Sequence, residues 1–375
     1  MVRTILIFAD ANRRAAITSV RILSQQRVKF LFAINEEFPK RLTNMIFKRY
    51  METPLLKYSA TSFISFLNET KKQYGNYSIL PIGEWQIRQI LENRHELLQG
   101  IDLCINDLEV YERLSNKKSF INICTDFDIK VPSELRSFPT SFAYSFVIKP
   151  KNYDSNSNVL KYPLLVDSEE SFNQVVNLNL DLSKHFVQEF ILGPSVYYCA
   201  FYKKGCLINN FSQLNTVQQP NGKSVLKAEP FSLSNELSEK IDLLFGKLKW
   251  TGPMMFELKR CDASDVFYAI ECNPRLWGPL QISADNGVDF VSPCFDLDPI
   301  LPNTSVKWGY FWLSGYISGY LLKKLTKQNF QKFKPTANIN YRELFWRNYS
   351  RKYFVLDFLS QCKELIKCYL SSSGR

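Results

Sequence analysis

Histidine is nearly missing from this chain: among 375 residues only His95 and His185 are present. That scarcity argues against a histidine-rich metal centre and against Ser-His-Asp hydrolase chemistry. The nine cysteines include no CxxC pair and follow no regular spacing. Scattered thiols in odd number, in a chain this long, point to reduced cysteine in a cytoplasmic protein. No apolar run reaches the ~20 residues of a membrane span. The longest, Trp308 to Leu322, has 15 residues and is interrupted by glycine and serine. The apolar residues 4–8 are followed too soon by Asp10 and Arg13 for a secretory signal. There is no low-complexity tract, no evident internal repeat, and no GxGxxG after the first strand-like segment.

The composition, 45% apolar and 22% charged, is that of a soluble globular protein. The length allows two or three domains, and a 14% aromatic share points to well-filled cores. The net charge of +11 is unevenly spread. Residues 306–375 hold 13 Lys or Arg against three acids (Glu343, Asp357 and Glu364), a balance of +10, so the rest of the chain is close to neutral. This basic, aromatic segment reads either as the solvated face of a terminal subdomain or as a surface for anionic lipid, nucleic acid or an acidic substrate.

Through the first hundred residues strand and helix signals alternate. Residues 4–8, 28–34 and 77–82 read as strands. Asn12 can cap a helix carrying Ala16, Val20 and Leu23, Thr61 one carrying Phe63, Phe66 and Leu67, and residues 84–98 form another. This alternation predicts a doubly wound parallel sheet. Around Leu114 the pattern changes. A helix is expected over 117–127, strands over 145–150, 162–167 and 185–191, and a capped helix over 168–176. Residues 152–158 (NYDSNSN) read as a polar loop, and 197–208 as a hairpin turning at Lys203 to Gly205. Residues 209–230 read as a long, poorly structured stretch before a helix over 235–248. A second hairpin is expected from 254–261 and 266–273.

That hairpin is where chemistry is concentrated. Side chains alternate along a strand, so Glu271 and Asn273 share a face. A register pairing Glu257 with Glu271 sets two carboxylates opposite one another, which is unfavourable unless a cation lies between them. Magnesium, an oxygen-seeking ion held by one or two carboxylates with phosphate and water, meets that need. This register calls for an odd number of turn residues. Taken alone, two acids on a hairpin fit an exposed, solvated turn better than a site. The continuation shifts the balance: Pro274 takes the strand out of the sheet and brings Arg275 near the carboxylates, where a guanidinium can neutralise a transferring phosphoryl group.

The segment ECNPRLWGPLQISADNGVDF (271–290) closely resembles the ExNPR segment that closes the ATP site of ATP-grasp enzymes, of the carbamoyl-phosphate-synthase-type and carboxylate–amine ligase kind. In the same order, NKKSF to DIKVP (116–132), FVIKP (146–150), FVQEFILG (186–193) and MMFEL (254–258) resemble the family's nucleotide-contacting, hinge and first metal-carboxylate segments. The resemblance covers roughly residues 1–305. It implies α/β and α+β architecture: a Rossmann-like N-terminal domain over 1–112 and an ATP-grasp with antiparallel sheets. The grasp divides into a small subdomain over 113–184 and a large one over 185–305, and a basic helical extension follows over 306–375.

Carried over by position, the resemblance implies that Lys117, with Lys118 as the fallback, and Lys149 contact ATP. It implies that Gln188, Glu189 and Ile191 hold the adenine edge, and that Glu257, Glu271 and Asn273 bind one or two magnesium ions, with manganese as an alternative. Arg275 is then the catalytic arginine. Three departures stand out. The 152–158 loop lacks glycine, Pro194-Ser195 follow Gly193 where relatives carry an acid, and no arginine occupies 209–230, where Lys223 or Lys227 could substitute. The reaction implied is activation of a carboxylate as an acyl phosphate followed by amide formation, which needs positioning and charge neutralisation more than a strong base. A non-amine nucleophile, or a nucleotide-binding module without turnover, are the alternatives. The expected partners are small-molecule carboxylates and amines, with an acidic sugar as one acceptor suited to the basic segment. No nucleic acid is expected. Peripheral membrane contact and oligomer formation are compatible with the sequence.

Overall fold

The computed structural model describes residues 3–8, 12–33, 59–105, 107–151, 163–178, 180, 183–219, 224–301, 305–326, 336, 339–347, 351, 354–355, 357–363 and 366. The expected 152–158 loop and Lys223 lie outside these.

The first layer is the parallel sheet read from the sequence. It comprises β1 (Arg3–Phe8), α1 (Arg13–Leu23), β2 (Val28–Ala33), α2 (Ala60–Tyr74), β3 (Tyr77–Ile79), α3 (Glu84–Glu92) and β4 (Ile101–Leu103), with strand order β2-β1-β3-β4. All its pairings are parallel. Asn12 caps α1 as expected, its side chain accepting from the Ala15 amide. The cap of α2 is Ser59 rather than Thr61: the Ser59 hydroxyl accepts from the Ser62 amide, two residues earlier than the apolar stripe alone suggested.

Two helices, α4 (Leu108–Ser115) and α5 (Lys117–Asp126), lead to a three-stranded antiparallel sheet. Its strands are β5 (Phe146–Pro150), β6 (Leu164–Val166) and β7 (His185–Glu189), with β5 central and α6 (Glu169–Asn177) against it. Ser168 and Ser171 form a reciprocal capping box at the start of α6. This sheet has a core of its own, built on Phe146, Ile148, Val166, Phe172, Val175 and Val187.

The third layer is a seven-stranded sheet of order β12-β11-β8-β9-β10-β13-β14. Its elements are β8 (Ser195–Lys203), β9 (Cys206–Gln218), β10 (Val225–Phe231), α7 (Asn235–Lys247), β11 (Gly252–Arg260), β12 (Phe267–Asn273), α8 (Gln281–Asp285), β13 (Trp308–Phe311), α9 (Leu313–Thr326) and β14 (Asn340–Glu343). The stretch 209–230 is therefore two strands on either side of 219–224, not an irregular segment. Along β9 and β10, thirteen and seven residues long, backbone hydrogen bonding holds polar side chains that look loop-like in sequence.

The turn at Lys204 and Gly205 has positive φ at both positions, 51° and 81°, the twist a tight hairpin requires. One face of this sheet buries Val196, Tyr198, Ala200 and Tyr202 against α7. The other buries Tyr197, Cys199, Phe201 and Met255 against α1 and Trp277.

The C-terminal segment is integral to this architecture. β13 pairs with β10 and β14, and Tyr310 and Trp312 are 1% and 4% exposed. The segment also clasps α1. Arg14 lies 4.1 Å over the Trp312 ring, and Arg21 donates to the Leu344 carbonyl at 2.6 Å.

Candidate active site

β11 and β12 pair in the register the sequence suggested. Glu257 is the partner of Glu271, Phe256 of Cys272 and Met255 of Asn273. The odd residue comes from elsewhere than the turn. Arg260 faces Phe267 across the six residues 261–266, and a bulge at Ile270, between the Leu258–Ala269 and Glu257–Glu271 pairs, returns Glu271 to the face of Glu257. A bulge also sharpens the local twist beside the carboxylates.

Each carboxylate has its own surroundings. Ser195 Oγ, on the adjacent strand β8, donates to Glu257 Oε1 at 2.8 Å. Burial, and then the Glu271 charge, push the Glu257 carboxyl up to about 7. Burial pushes Glu271 the same way, but Lys117, the Asn273 side chain, Lys149 and Arg275 together hold it below the ordinary range. Asn273 Nδ2 donates to Glu271 Oε1 at 2.8 Å, and its Oδ1 accepts from Arg275 at 3.0 Å. Arg275 also donates to its neighbour's carbonyl, Leu276 O, at 3.1 Å, so both ends of the guanidinium are fixed.

The two expected lysines converge on this pair from other elements. Lys117 opens α5, where Asn116 Oδ1 accepts from the Lys118 and Ser119 amides. Its Nζ lies 4.0 Å from Glu271 Oε2. Lys118 instead pairs with Glu134. Lys149 comes from β5 and is 6% exposed. Burial, and the like charge of Lys117, lower it to about 8, while Glu271 and Glu257 pull the other way.

The hinge residues divide. Gln188 is 1% exposed and donates to the Pro132 carbonyl at 3.1 Å. The Glu189 amide donates to Ser133 O, and its carboxylate accepts from the Ser133 amide, both at 3.0 Å. Both side chains thus anchor the 132–133 segment to β7. These contacts do not use the peptide groups of Ile191, which is buried beyond the strand. Gly193 then turns the chain with φ +146°, and a Cβ there would sit 1.8 Å from the Arg260 carbonyl. Only glycine permits that approach of the hinge to β11.

Several residues escaped the sequence reading. Ser195 stands where relatives were expected to carry an acid, and it binds a carboxylate. Gln213 and Asn215 lie on β9 opposite Tyr197 and Ser195, in line with Glu257 and Lys259 beyond them. Gln213 Nε2 donates to Asn215 Oδ1 at 2.7 Å. Gln213 Oε1 and Asn215 Nδ2 are buried without a hydrogen-bond partner. Their spacing of two along an otherwise pairable stretch was the available signal. Lys227 is engaged elsewhere: it pairs with Glu229 at 2.9 Å, which also accepts from Thr336 and Tyr341.

Among the described residues no group of three or more His, Cys, Asp or Glu side chains could hold a metal. The donor set is two carboxylates and an amide oxygen. It is too sparse for a cage made of protein alone, and it fits a magnesium ion completed by phosphate oxygens and water. Glu257 and Glu271 are like charges set directly opposite one another.

A parallel α/β layer, a small antiparallel sheet and a larger one carrying the paired acids together make the ATP-grasp fold. No protein-family model matches the sequence, and no curated protein matches it. Solved structures do. The chain superposes on Rhizobium etli pyruvate carboxylase with TM-score 0.60 and 17% identity, over 78% of this chain and 29% of that one. The biotin carboxylase domain of Hydrogenobacter thermophilus 2-oxoglutarate carboxylase, in complex with MgADP, ADP and bicarbonate, matches with TM-score 0.58 and 13% identity, over 81% of this chain and 72% of that one. An L-amino acid ligase from Bacillus licheniformis matches with TM-score 0.54 and 14% identity, over 80% and 75% of the two chains. This chain thus spans less than a third of the full-length pyruvate carboxylase. Among the described residues no helix is long and apolar enough to cross a membrane.

Proposed function

We propose that this chain is an ATP-dependent ligase that activates a carboxylate as an acyl phosphate and passes the acyl group to an amine. One observation carries the reading: Glu257 and Glu271 oppose one another with Asn273 and Arg275 beside them and Lys117 and Lys149 converging on them. Magnesium held by Glu257, Glu271 and Asn273 would supply charge neutralisation to the phosphates. Lys149, buried and cationic below about pH 8, is suited to a phosphate oxygen, and Lys117 to a second. Ile191 would seat the adenine edge.

In the first step a substrate carboxylate oxygen attacks the γ-phosphorus and ADP leaves. Arg275 is suited to the charge that spreads over the transferring phosphoryl group. In the second an amine nitrogen attacks the acyl carbon, the C–O bond to phosphate breaks, and the amine proton leaves with phosphate or solvent. Gln213 Oε1 and Asn215 Nδ2, one acceptor and one donor, would orient the substrate.

The likeness to an L-amino acid ligase favours an amine as nucleophile. The bicarbonate and MgADP bound to a 2-oxoglutarate carboxylase domain favour a second reading, in which bicarbonate is the carboxylate activated. The test is mass spectrometry of products after incubation with Mg-ATP and a panel of amino acids and other carboxylates, with and without labelled bicarbonate. An amide product with stoichiometric ADP supports the first reading, and label in the product supports the second. Nucleotide binding without ADP release across the panel would leave a binding module. Glu271→Ala must abolish ADP release, and activity retained in that variant would overturn the site.

A further inference from the structure

The last helix among the described residues carries an aliphatic stripe on the side away from the protein. Residues 351, 354–355, 357–363 and 366 are helical. The side turned to the protein carries polar Asp357 and Ser360 beside Phe354, which packs partly buried against the core. Asp357 is 5% exposed and accepts from Trp312 Nε1 at 2.7 Å and from Ser314 Oγ, and Ser360 accepts from Arg13 at 3.3 Å. The side turned to solvent is aliphatic: Val355, Leu359 and Ile366 are 55%, 51% and 59% exposed. At 3.6 residues per turn these three project within about 40° of one another, while Asp357 lies roughly opposite. A helix whose other side met only water would be expected to show the reverse arrangement.

Charge surrounds the stripe. Arg351 and Lys363, both exposed, flank it on either side. Arg351 lies 5.7 Å over the ring of Trp346, itself 59% exposed. Of the three acids in the +10 segment, two are turned inward. Glu343 accepts from the Leu313, Phe345 and Trp346 amides, and Asp357 is buried as described. The surface offered outward by the described residues is therefore aliphatic, aromatic and cationic. Phosphate backbones would use the cations but leave the aliphatic stripe in water. A second copy would bring like charge against like. An anionic bilayer surface satisfies both features: an apolar side enters the headgroup boundary while basic residues meet the lipid charge.

We propose that this helix, with Trp346, seats the protein on the surface of a membrane rich in anionic lipid. The full chain, sedimented with vesicles of phosphatidylcholine alone or mixed with phosphatidylglycerol, should bind the mixed vesicles, spare the neutral ones, and dissociate as salt is raised. The double substitution Val355→Asp, Leu359→Asp is at exposed positions and should keep the circular dichroism and melting temperature of the wild type. It should weaken vesicle partition at least about tenfold. Arg351→Glu with Lys363→Glu should abolish the preference for anionic vesicles. Should the first variant lose its fold, Ile366→Asp gives the same reading from another position.

The proposal falls if the wild type ignores anionic vesicles, or if well-folded variants bind as it does. It also falls if light scattering finds a wild-type dimer that the aliphatic variant dissociates, because a second copy then covers the stripe. Binding to duplex DNA that survives the aliphatic variant, with no vesicle binding, would overturn it as well.

Discussion

Glu257 and Glu271 are direct partners across β11 and β12, and the two carboxylates differ in charge preference because their neighbours differ. For Glu257, burial and the Glu271 charge outweigh the Ser195 hydroxyl and the cations Lys259 and Lys149; for Glu271, Lys117, Asn273, Lys149 and Arg275 outweigh burial. An acid raised from 4.5 to about 7 contributes stability that is complete below pH 4.5 and lost as pH rises through about 7. At pH 8 without magnesium, Glu257→Gln should therefore melt at a higher temperature than the wild type. Adding Mg-ADP should raise the wild-type melting temperature more than that of the variant. Differential scanning fluorimetry checks both, and equal responses to Mg-ADP would remove Glu257 from the metal set.

Lys149 gives a dependence in the opposite direction. Its folded value of about 8 lies below the ordinary 10.5, so between these values the unfolded chain binds more protons, and stability from this residue rises with pH. On the proposed function the nucleotide is held by this cation, so affinity for ADP should fall as pH rises past about 8. Lys149→Met should bind about tenfold to hundredfold more weakly at pH 7. Its affinity should show no step near pH 8. Titration calorimetry across pH 6.5–9.5 measures this.

Gln213 separates a structural role from a functional one. Its Oε1 is buried without a partner, which costs about 1–3 kcal/mol in the free protein. Gln213→Leu removes that cost but also takes the donor from Asn215 Oδ1, so the melting temperature should change little while KM for the substrate rises. A large loss of stability with unchanged KM would assign Gln213 to packing alone.

Deletion of residues 306–375 should disrupt the core rather than trim a tail. It removes β13 and β14 and uncovers the surface that Tyr310 and Trp312 fill. The expected result is an insoluble product or strong binding of a hydrophobic dye. A soluble protein with a sharp melting transition would show the segment to be dispensable.

Where local chemistry determined structure, the sequence was a good guide. The β11–β12 register pairing Glu257 with Glu271 was legible from the hairpin itself, whereas Lys117 came from the family resemblance and not from its local surroundings. What escaped was decided by tertiary pairing. Polar Gln213 and Asn215 inside β9 resembled loop residues because nothing local shows that their backbone is hydrogen-bonded on both sides. The +10 of residues 306–375 hid β13 and β14, four residues each, whose pairing partners lie far along the chain. The six-residue turn and the bulge at Ile270 are two ways to reach one parity, and alternation cannot distinguish a bulge from an odd turn.

The separate core of the three-stranded sheet has a mechanical consequence. Phe146, Ile148 and Val187 pack among themselves, whereas the parallel sheet and the seven-stranded sheet share two continuous cores. The latter pair is further strapped by Arg14 over Trp312 and Arg21 on Leu344. The molecule is thus a stiff frame carrying one smaller leaf. Glu257 and Glu271 belong to the frame and Lys149 rides on the leaf. Swinging the leaf changes the separation of the buried ammonium from the two carboxylates before it changes anything within either body.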